Sequence, residues 1–363
     1  MQTDTLHEKL AEDCLEWQVS DSAIKQLHES MSNIIATVNK KFRLEAVGAE
    51  NRNIIQNLEF LMDAHVHFGE MLLAVYQFRL WHDFLDESLW YAQSIRVRGL
   101  YERYLSKMLK TFMISMFSYI KPPDVNELVR PINWLSNHVH ELFESETKET
   151  PVSIPVSKLL DFLFANDRNR AEELINSFYD ERKSEEAFIN QLITPVLADI
   201  GKRWSENRIT VADEHLATAN LRSIYQAFFK SHYIGTKWDQ EITVCCVPGE
   251  EHEIGAELLS LYLENKGWSV RFIGHSTPEG EIIRMLEQYP PFAIVLSITI
   301  ISHLPALDSL VNRLRDKFPA MKIIVGGGRF HEAREVMNEL ADAMPESFEQ
   351  CNTILENMVK SYA

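Results

Sequence analysis

A histidine follows the first strongly apolar segment in the C-terminal part of the sequence. Residues 250–255 read Glu-Glu-His-Glu-Ile-Gly and come directly after the apolar run 242–247. A histidine at the carboxyl end of the first strand of an α/β sheet lies where such sheets bind ligands. Glu250 can hold the second ring nitrogen of His252, and Gly255 leaves room for a bulky group. The pattern indicates a metal above the imidazole and a large group that passes beside it.

Three further β-rich segments follow, at residues 269–273, 292–296 and 322–325. Short strands alternate here with amphipathic helices, which is the pattern of a flavodoxin-like, doubly wound parallel sheet. The third segment ends in Ser297-Ile298-Thr299, and the fourth ends in the glycine run 326–328. We therefore predict an α/β domain over residues 240–363, with polar residues and glycines at the ends of its strands.

Three signals in this region carry a resemblance to a known family. The order Glu250-x-His252-x-x-Gly255, then Ser297-x-Thr299, then Gly326-Gly327 resembles the cobalamin-binding domain of methionine synthase, corrinoid proteins and B12 photoreceptors. The family pattern opens with Asp or Glu, so Glu250 fits it. The alternative is a flavodoxin-like receiver domain with an incidental surface histidine, because one fold hosts many functions. The three signals in this order favour cobalamin binding.

The resemblance implies a role for each of these residues. His252 would replace the cofactor's own benzimidazole on the lower face of cobalt, and Glu250 would orient its imidazole and tune its basicity. Gly255 would let the displaced nucleotide tail enter the sheet, where Ser297 would hydrogen-bond the benzimidazole. The glycine run 326–328 would let the backbone approach that tail closely.

A helix-rich segment at residues 156–235 precedes the predicted sheet and carries a second signal. Trp204 and the pair Glu214-His215 are separated by nine residues. This spacing on a four-helix cap resembles the light-responsive B12 regulators, in which the cap packs over the upper face of adenosylcobalamin. An indole is a flat lid for the adenosyl group, and adjacent Glu and His can hydrogen-bond its ribose and base. The alternative is a core tryptophan beside a solvated helix face.

The residue after this tryptophan departs from the pattern of the best-known B12 photoreceptors. In those proteins a histidine follows the tryptophan and takes the upper coordination position once light has expelled the adenosyl group. Here that residue is Ser205. A serine hydroxyl is a poor ligand for cobalt(III), so the resemblance does not imply a stable bis-histidine state through this position.

Residues 1–145 are predicted to form a separate, all-helical domain of about the size of a globin. Helical periodicity is found in five segments, with almost no β-alternation. These segments are 23–42, 54–68, 84–97, 100–120 and 128–143. The acidic stretch 144–155, which contains two prolines, is predicted to be a linker.

Aromatic residues are concentrated between Tyr76 and Tyr119, and arginines and histidines lie among or near them. The basic residues are Arg79, Arg96, Arg98, His65, His67 and His82. In one interpretation this is a helical dimerisation domain whose aromatic residues fill the core. In the other, aromatic walls face a tetrapyrrole and arginines bind its propionates.

The order of a globin-sized helical domain, a cap and a cobalamin domain resembles the photocobilins, B12 photoreceptors that also hold biliverdin. Haem with a histidine ligand is a further alternative for the N-terminal domain. Cys14 is remote in sequence from the aromatic segment, which disfavours a thioether-linked bilin. The N-terminal domain is therefore predicted to bind biliverdin, with haem or no pigment as alternatives.

Composition limits the remaining function classes. The 363 residues carry a formal net charge of −17, which argues against direct binding to a nucleic-acid backbone. No signal peptide and no long apolar run is found, so a soluble cytoplasmic protein without a membrane span is expected. The four cysteines contain no CxxC pair and are expected to be reduced thiols.

The sequence thus predicts a non-enzymatic light sensor that binds adenosylcobalamin, with biliverdin as a second chromophore. Photolysis would change the packing of the cap and the oligomeric state of a homo-oligomer. No kinase, phosphodiesterase or cyclase motif is found, so the output would reach an unidentified protein partner. The alternative is a corrinoid methyl carrier of a methyltransferase system, with an N-terminal dimerisation or haem-binding module.

Overall fold

The computed structural model describes residues 2–48, 52–145, 151–328 and 330–362, which form two compact units. Unit 1 contains residues 1–148 and 330–336, and unit 2 contains residues 149–329 and 337–363. The N-terminal part of unit 1 is helical, whereas unit 2 combines helices with one parallel sheet. None of the described helices is long and apolar enough to cross a lipid bilayer.

The helices of the N-terminal part overlap the five predicted helical segments. They are α1 (Gln2–Asp13), α2 (Asp21–Gly48), α3 (Arg52–Gln56), α4 (Leu58–Phe78), α5 (Trp81–Arg96), α6 (Glu102–Tyr119), α7 (Asp124–Asn137) and α8 (Val139–Glu144). Along α2 the buried positions recur every three or four residues, as at Leu27, Met31 and Ile34, so that one stripe of the helix faces the core. Helix α4 ends at Phe78 and is followed by Arg79, which adopts a left-handed conformation.

Much of the aromatic segment of unit 1 lies in its core. Tyr76, Phe84 and Phe112 are fully buried, and the rings of Phe68 and Phe112 are 5.0 Å apart. Trp90, in contrast, is exposed. The core interpretation therefore accounts for the buried members of the segment.

His65 is also part of this core. Its Nδ1 lies 2.7 Å from Asn39 Oδ1, and its Nε2 lies 2.8 Å from the Tyr104 hydroxyl. Burial lowers the pKa of His65 to about 3. Both ring nitrogens have partners, which argues against His65 as a haem ligand.

Unit 2 begins with the helices of the predicted cap. They are α9 (Ile154–Phe164), α10 (Arg168–Arg182), α11 (Glu185–Phe188), a π-helical turn (Ile189–Ile193), α12 (Thr194–Ser205) and α13 (Val211–Ser231). Pro155 lies in the first turn of α9, where its missing N–H leaves no helical bond unmade. The predicted end of the linker 144–155 is therefore wrong, because α9 begins before that proline. Residues 146–150 of the predicted linker lie outside the described residues.

The sheet of unit 2 has four strands among the described residues, in the order β2-β1-β3-β4, and all of them are parallel. The strands are β1 (Glu241–Cys246), β2 (Ser269–Gly274), β3 (Ala293–Ile298) and β4 (Lys322–Gly327). The helices that accompany them are α14 (Ile254–Asn265), α15 (Glu279–Gln288), α16 (Leu304–Lys317), α17 (Ala333–Leu340) and α18 (Phe348–Tyr362). The predicted parallel sheet is confirmed.

The strand order places a crevice at the carboxyl ends of β1 and β3. The chain passes from β1 outward to β2 and then back across to β3, so these two central strands flank the point where the order reverses. Cys246 at the end of β1 is paired with Ser297 near the end of β3. Open α/β sheets bind ligands in the crevice outside such a switch point.

Glu87 on α5 gives unit 1 a pH dependence that can be tested. Burial, with the charges of Asp83 and Asp86, raises the pKa of Glu87 to about 7. Between its ordinary pKa and about 7 the unfolded chain binds fewer protons than the folded chain, so stability falls as pH rises through this window. We expect Glu87→Gln to flatten the profile and to stabilise the protein by roughly 2 kcal/mol at about pH 8.

Denaturant titrations at a series of pH values measure this effect. The matched control is Glu59→Gln, which alters an exposed carboxylate of the same unit and should leave the profile unchanged. An unchanged slope in the Glu87 variant would contradict the assignment.

Candidate cofactor site

The site is built on the turn that follows β1. The Val247 amide continues the pairing with β3 by donating to the Ser297 carbonyl at 3.0 Å. Gly249 has a φ of 88°, a conformation that L side chains rarely adopt. The Ser276 amide, after β2, donates to the Glu250 carbonyl at 3.1 Å. The turn thus brings Glu250 back over the carboxyl ends of the central strands.

The Glu250 carboxylate is fully buried and accepts hydrogen bonds from five N–H groups. Its Oε1 accepts from the His252 amide at 2.9 Å and lies 2.6 Å from His252 Nδ1. Its Oε2 accepts from the amides of Thr299 at 2.7 Å and Ile300 at 3.2 Å, and it lies 3.2 Å from His303 Nδ1. A buried carboxylate is stable only when its oxygens are satisfied in this way.

These contacts determine the protonation of the pair. Burial alone would raise the pKa of Glu250, but hydrogen bonds from His252, His303 and backbone amides hold that pKa below its ordinary value. The hydrogen bond to Glu250 raises the pKa of His252 against the opposing effect of burial, and the charges of Glu251 and Glu214 raise it further. Glu250 is therefore ionised, and its acceptor oxygen fixes the proton of His252 on Nδ1.

The other ring nitrogen of His252 is available for a metal. The side chain is 58% exposed, and Nδ1 is bound to the carboxylate, so in the neutral imidazole Nε2 carries the lone pair. Within the described parts of the chain, one cluster has three metal-ligand atoms within reach of one another, formed by Glu102, His140 and Glu144. His252 is not a member of this cluster. A metal held by a macrocyclic cofactor would need only this one imidazole from the protein.

The glycines of the motif leave space for a bulky group. A Cβ added at Gly255 or at Gly326 would meet nothing within 4 Å. Gly327 is different, because its φ is 135° and an added Cβ would lie 1.9 Å from the Ile298 carbonyl oxygen. The close approach at Gly327 is therefore to β3, while the open positions that fit a bulky tail are Gly255 and Gly326.

Hydroxyl groups at the end of β3 also fit a polar ligand. Ser297 is half-buried, and Thr299, two residues later, is exposed. The buried Ser302 hydroxyl has no hydrogen-bond partner among the described residues. Buried polar groups without a partner are uncommon in proteins, so the donor set fits the tail of a corrinoid.

The predicted cap residues lie at the ends of α12 and α13. Trp204 is half-buried, and the Ser205 hydroxyl donates to the Lys202 carbonyl at 2.8 Å. His215 Nδ1 lies 2.5 Å from Glu214 Oε2. A capping box between Thr210 and Asp213 begins α13 and places that pair in its first turns.

A cluster of polar residues that the sequence did not indicate joins the cap to α14. The Glu257 carboxylate is buried and accepts from the Tyr225 hydroxyl at 2.5 Å and from Gln226 Nε2 at 2.6 Å. Arg222 on α13 lies 2.8 Å from Glu257 and donates to Glu253 at 2.7 Å. This cap latch, formed by these five residues, starts one residue after His252, so it connects the cap to the turn that holds the imidazole.

Comparisons with known proteins match the same two regions. Residues 241–350 match the model of a B12 binding domain, and residues 156–227 match a second model with the same description. The HTH-type transcriptional repressor CarH of Myxococcus xanthus is 26% identical over 178 residues, which is 49% of this chain and 58% of the repressor. The repressor CarA of the same organism is 27% identical over 172 residues, with 46% and 55% covered. The chain thus spans little more than half the length of these relatives.

Solved structures give a weaker likeness. The monomethylamine corrinoid protein of Methanosarcina barkeri superposes with a TM-score of 0.47 and 14% identity, over 55% of this chain and 96% of that protein. A cobalamin-binding protein from Desulfitobacterium hafniense gives a TM-score of 0.31 and 17% identity, over 56% and 98%. These scores are too low to support a functional argument. The two matched family models, in contrast, identify the cap region and the sheet region of this chain as B12-binding domains.

Proposed function

We propose that this protein is a light sensor that binds adenosylcobalamin with His252 as the lower axial ligand of cobalt. The observation that carries the proposal is one exposed imidazole, locked through Nδ1 to a buried carboxylate at the switch point of a B12-binding domain. The named relatives that cover half of the chain are transcriptional repressors rather than enzymes, which supports a regulatory, non-enzymatic role.

The residues of the sheet hold the cofactor in this proposal. Glu250 keeps the Nδ1 proton of His252 in place, so that Nε2 would be free to bind the metal. Gly255 and Gly326 leave room for the displaced nucleotide tail, and the Ser297 hydroxyl is the donor for its benzimidazole. Bound adenosylcobalamin supplies a cobalt–carbon bond that light can break.

The cap residues provide the light-dependent contact. Trp204 would cover the adenosyl group, while Glu214 and His215 would hydrogen-bond it. When that group is lost, the cap loses the contact that favours its dark arrangement. The resulting shift is limited by the difference in affinity between the two arrangements. The cap latch at Glu257 keeps the first turns of α14 attached to α13, so movement of α13 is transmitted to the turn around His252.

The output of this sensor is a change in association. A net charge of −17 disfavours contact with a nucleic-acid backbone, so the partner is a second copy of the chain or another protein. A methyl carrier would use the same His252 site. Trp204 and the Glu214–His215 pair distinguish the two functions, because a carrier exposes cobalt to its partner enzymes whereas a sensor encloses a photolabile group.

Illumination of the full chain loaded with adenosylcobalamin in the dark tests the sensor function. We expect a light-dependent change both in the absorption spectrum and in the elution volume on gel filtration. Ser205→His places an imidazole beside Trp204, and we expect it to stabilise the illuminated state against reversal, because imidazole is a better cobalt ligand than a serine hydroxyl. Asn207→His, on the exposed turn after α12, is the matched control.

The result also separates the two functions. The carrier function would be assigned instead if two results were obtained together. The absorption spectrum and the elution volume would not respond to light, and bound methylcobalamin would transfer its methyl group to a thiol. Identical illuminated spectra for the Ser205→His variant and the wild type would contradict the placement of α12 over the upper face.

We further propose that unit 1 holds biliverdin as a second chromophore, in a cleft beside Trp81. A cavity of about 600 Å³ is found there, and its lining includes Trp17, Arg79, Trp81 and Cys14. The rings of Trp17 and Trp81 are edge to face, with centroids 5.2 Å apart. Two indoles and an exposed arginine suit a flat pigment with carboxylate side chains, and the volume is in the range of ligand pockets. That unit 1 resembles a globin is also part of this proposal.

Cys14 lies on the wall of this cleft, although it is remote from Trp81 in sequence. The expectation that sequence distance separates this thiol from the aromatic residues is therefore wrong. Burial and the charge of Glu332 nevertheless raise the pKa of the Cys14 thiol, which leaves little reactive thiolate at neutral pH. The chemistry of the thiol thus still disfavours a covalent pigment.

Biliverdin and, separately, haem are added to the full chain, and retention of pigment through gel filtration is measured. We expect biliverdin to be retained, the Arg79→Met variant to bind it roughly tenfold more weakly, and denaturation to release it without attachment to Cys14. Arg43→Met, at an exposed position on α2, is the control. Retention of haem alone, or of neither pigment, would contradict the proposal. An unaffected Arg79 variant would move the site out of the cleft.

A further inference from the structure

The Glu250 carboxylate is shared by two imidazoles, of which the sequence motif accounts for one. His252 occupies Oε1, and His303 lies 3.2 Å from Oε2. His303 lies in a short 3-10 turn (Ile301–His303) that follows β3, fifty-three residues beyond Glu250. It therefore reaches the carboxylate from the second central strand of the switch point, opposite the turn that carries His252.

The surroundings of His303 hold its ring in one place. Its side chain is only 15% exposed, which limits its rotation. A Cβ added at Gly249 would lie 3.4 Å from His303 Cδ2 and 3.6 Å from its Nε2. The glycine turn before Glu250 thus lies close to the ring, and a Cβ at Gly249 would be in ordinary van der Waals contact with it. Since an ionised carboxylate only accepts hydrogen bonds, Nδ1 of His303 is the donor.

We propose that His303 is a positioning residue for the lower axial ligand. The donation from His303, with the Thr299 and Ile300 amides, holds Oε2 and so fixes the plane of the carboxylate. A fixed plane leaves Oε1 directed at Nδ1 of His252, so that the ring would present Nε2 to the metal in one orientation. Without His303, Oε2 keeps only the backbone donors of Thr299 and Ile300, and the carboxylate is held less firmly. This inference rests on the proposed function, because it concerns how firmly His252 is presented to cobalt.

Two variants separate hydrogen-bond donation from simple packing. His303→Leu introduces an apolar side chain of similar bulk and removes the donor, whereas His303→Gln keeps an N–H donor. His140→Leu changes an exposed histidine of unit 1 that pairs with Glu102 and is the matched control. Circular dichroism and thermal midpoints of the full chain establish that each variant is folded.

Two measurements are made on each protein. In the cofactor-free protein labelled with ¹⁵N-histidine, NMR reports whether the Nδ1 proton of His252 is held, through its rate of exchange with water. In the second measurement, hydroxocobalamin is titrated into the protein and its affinity is read from the absorption spectrum. We expect His303→Leu to speed the proton exchange and to weaken binding roughly tenfold, while His303→Gln stays within about threefold of the wild type and His140→Leu matches it.

The outcomes distinguish this inference from the proposed function. A His303→Leu variant with wild-type exchange and affinity would overturn the positioning role and leave cobalamin binding intact. A His303→Gln variant as defective as His303→Leu would show that packing, not donation, matters and would also overturn it. A wild-type protein that binds no hydroxocobalamin would refute the proposed function, whereas the exchange measurement on cofactor-free protein would still decide the role of His303.

Discussion

The buried negative charge of Glu250 organises the carboxyl edge of the parallel sheet. Removing a carboxylate from water costs several kcal/mol unless its oxygens are fully hydrogen-bonded, and Glu250 is fully buried. Its partners come from the turn after β1 and from the residues after β3. The conformation of both segments is therefore constrained by the need to satisfy one side chain, and the imidazole of His252 is aimed as a consequence.

The parallel sheet makes this arrangement possible. The chain runs from β1 outward to β2 and then crosses back to β3, so the connections leave the two central strands in opposite directions. The carboxyl ends of β1 and β3 therefore form a crevice that no connection crosses. The cap then reaches this crevice through α13, which is tied to α14 by the Arg222 and Tyr225 contacts with Glu257. Glu257 and His252 lie five residues apart on either side of Gly255. The contacts of the cap with α14 and the turn that carries His252 are thus only a few residues apart.

The sequence predicted those features whose partners are near one another in the chain. Strands β1 to β4 were recognisable because short apolar runs alternate with amphipathic helices, and the Glu250–His252 pair because the two residues are two positions apart. His303 was missed because the contact with Glu250 joins distant segments, although its position after β3 places it at the same edge of the sheet. The Cys14 cleft was missed for the same reason. The start of α9 was misplaced because Pro155 was taken as a helix breaker, whereas the first turn of a helix tolerates proline.

The coordination of cobalt by His252 is tested most directly by electron paramagnetic resonance. Cobalamin of natural isotopic composition is bound to protein labelled with ¹⁵N-histidine, and the metal is reduced to cobalt(II). Coupling to an axial ¹⁴N splits each cobalt line into a triplet, whereas coupling to ¹⁵N gives a doublet. If His252 is the ligand, the labelled protein shows doublets that are absent from the His252→Ala variant. Triplets in the labelled protein would show that the benzimidazole of the cofactor remains on cobalt, and they would contradict the central claim.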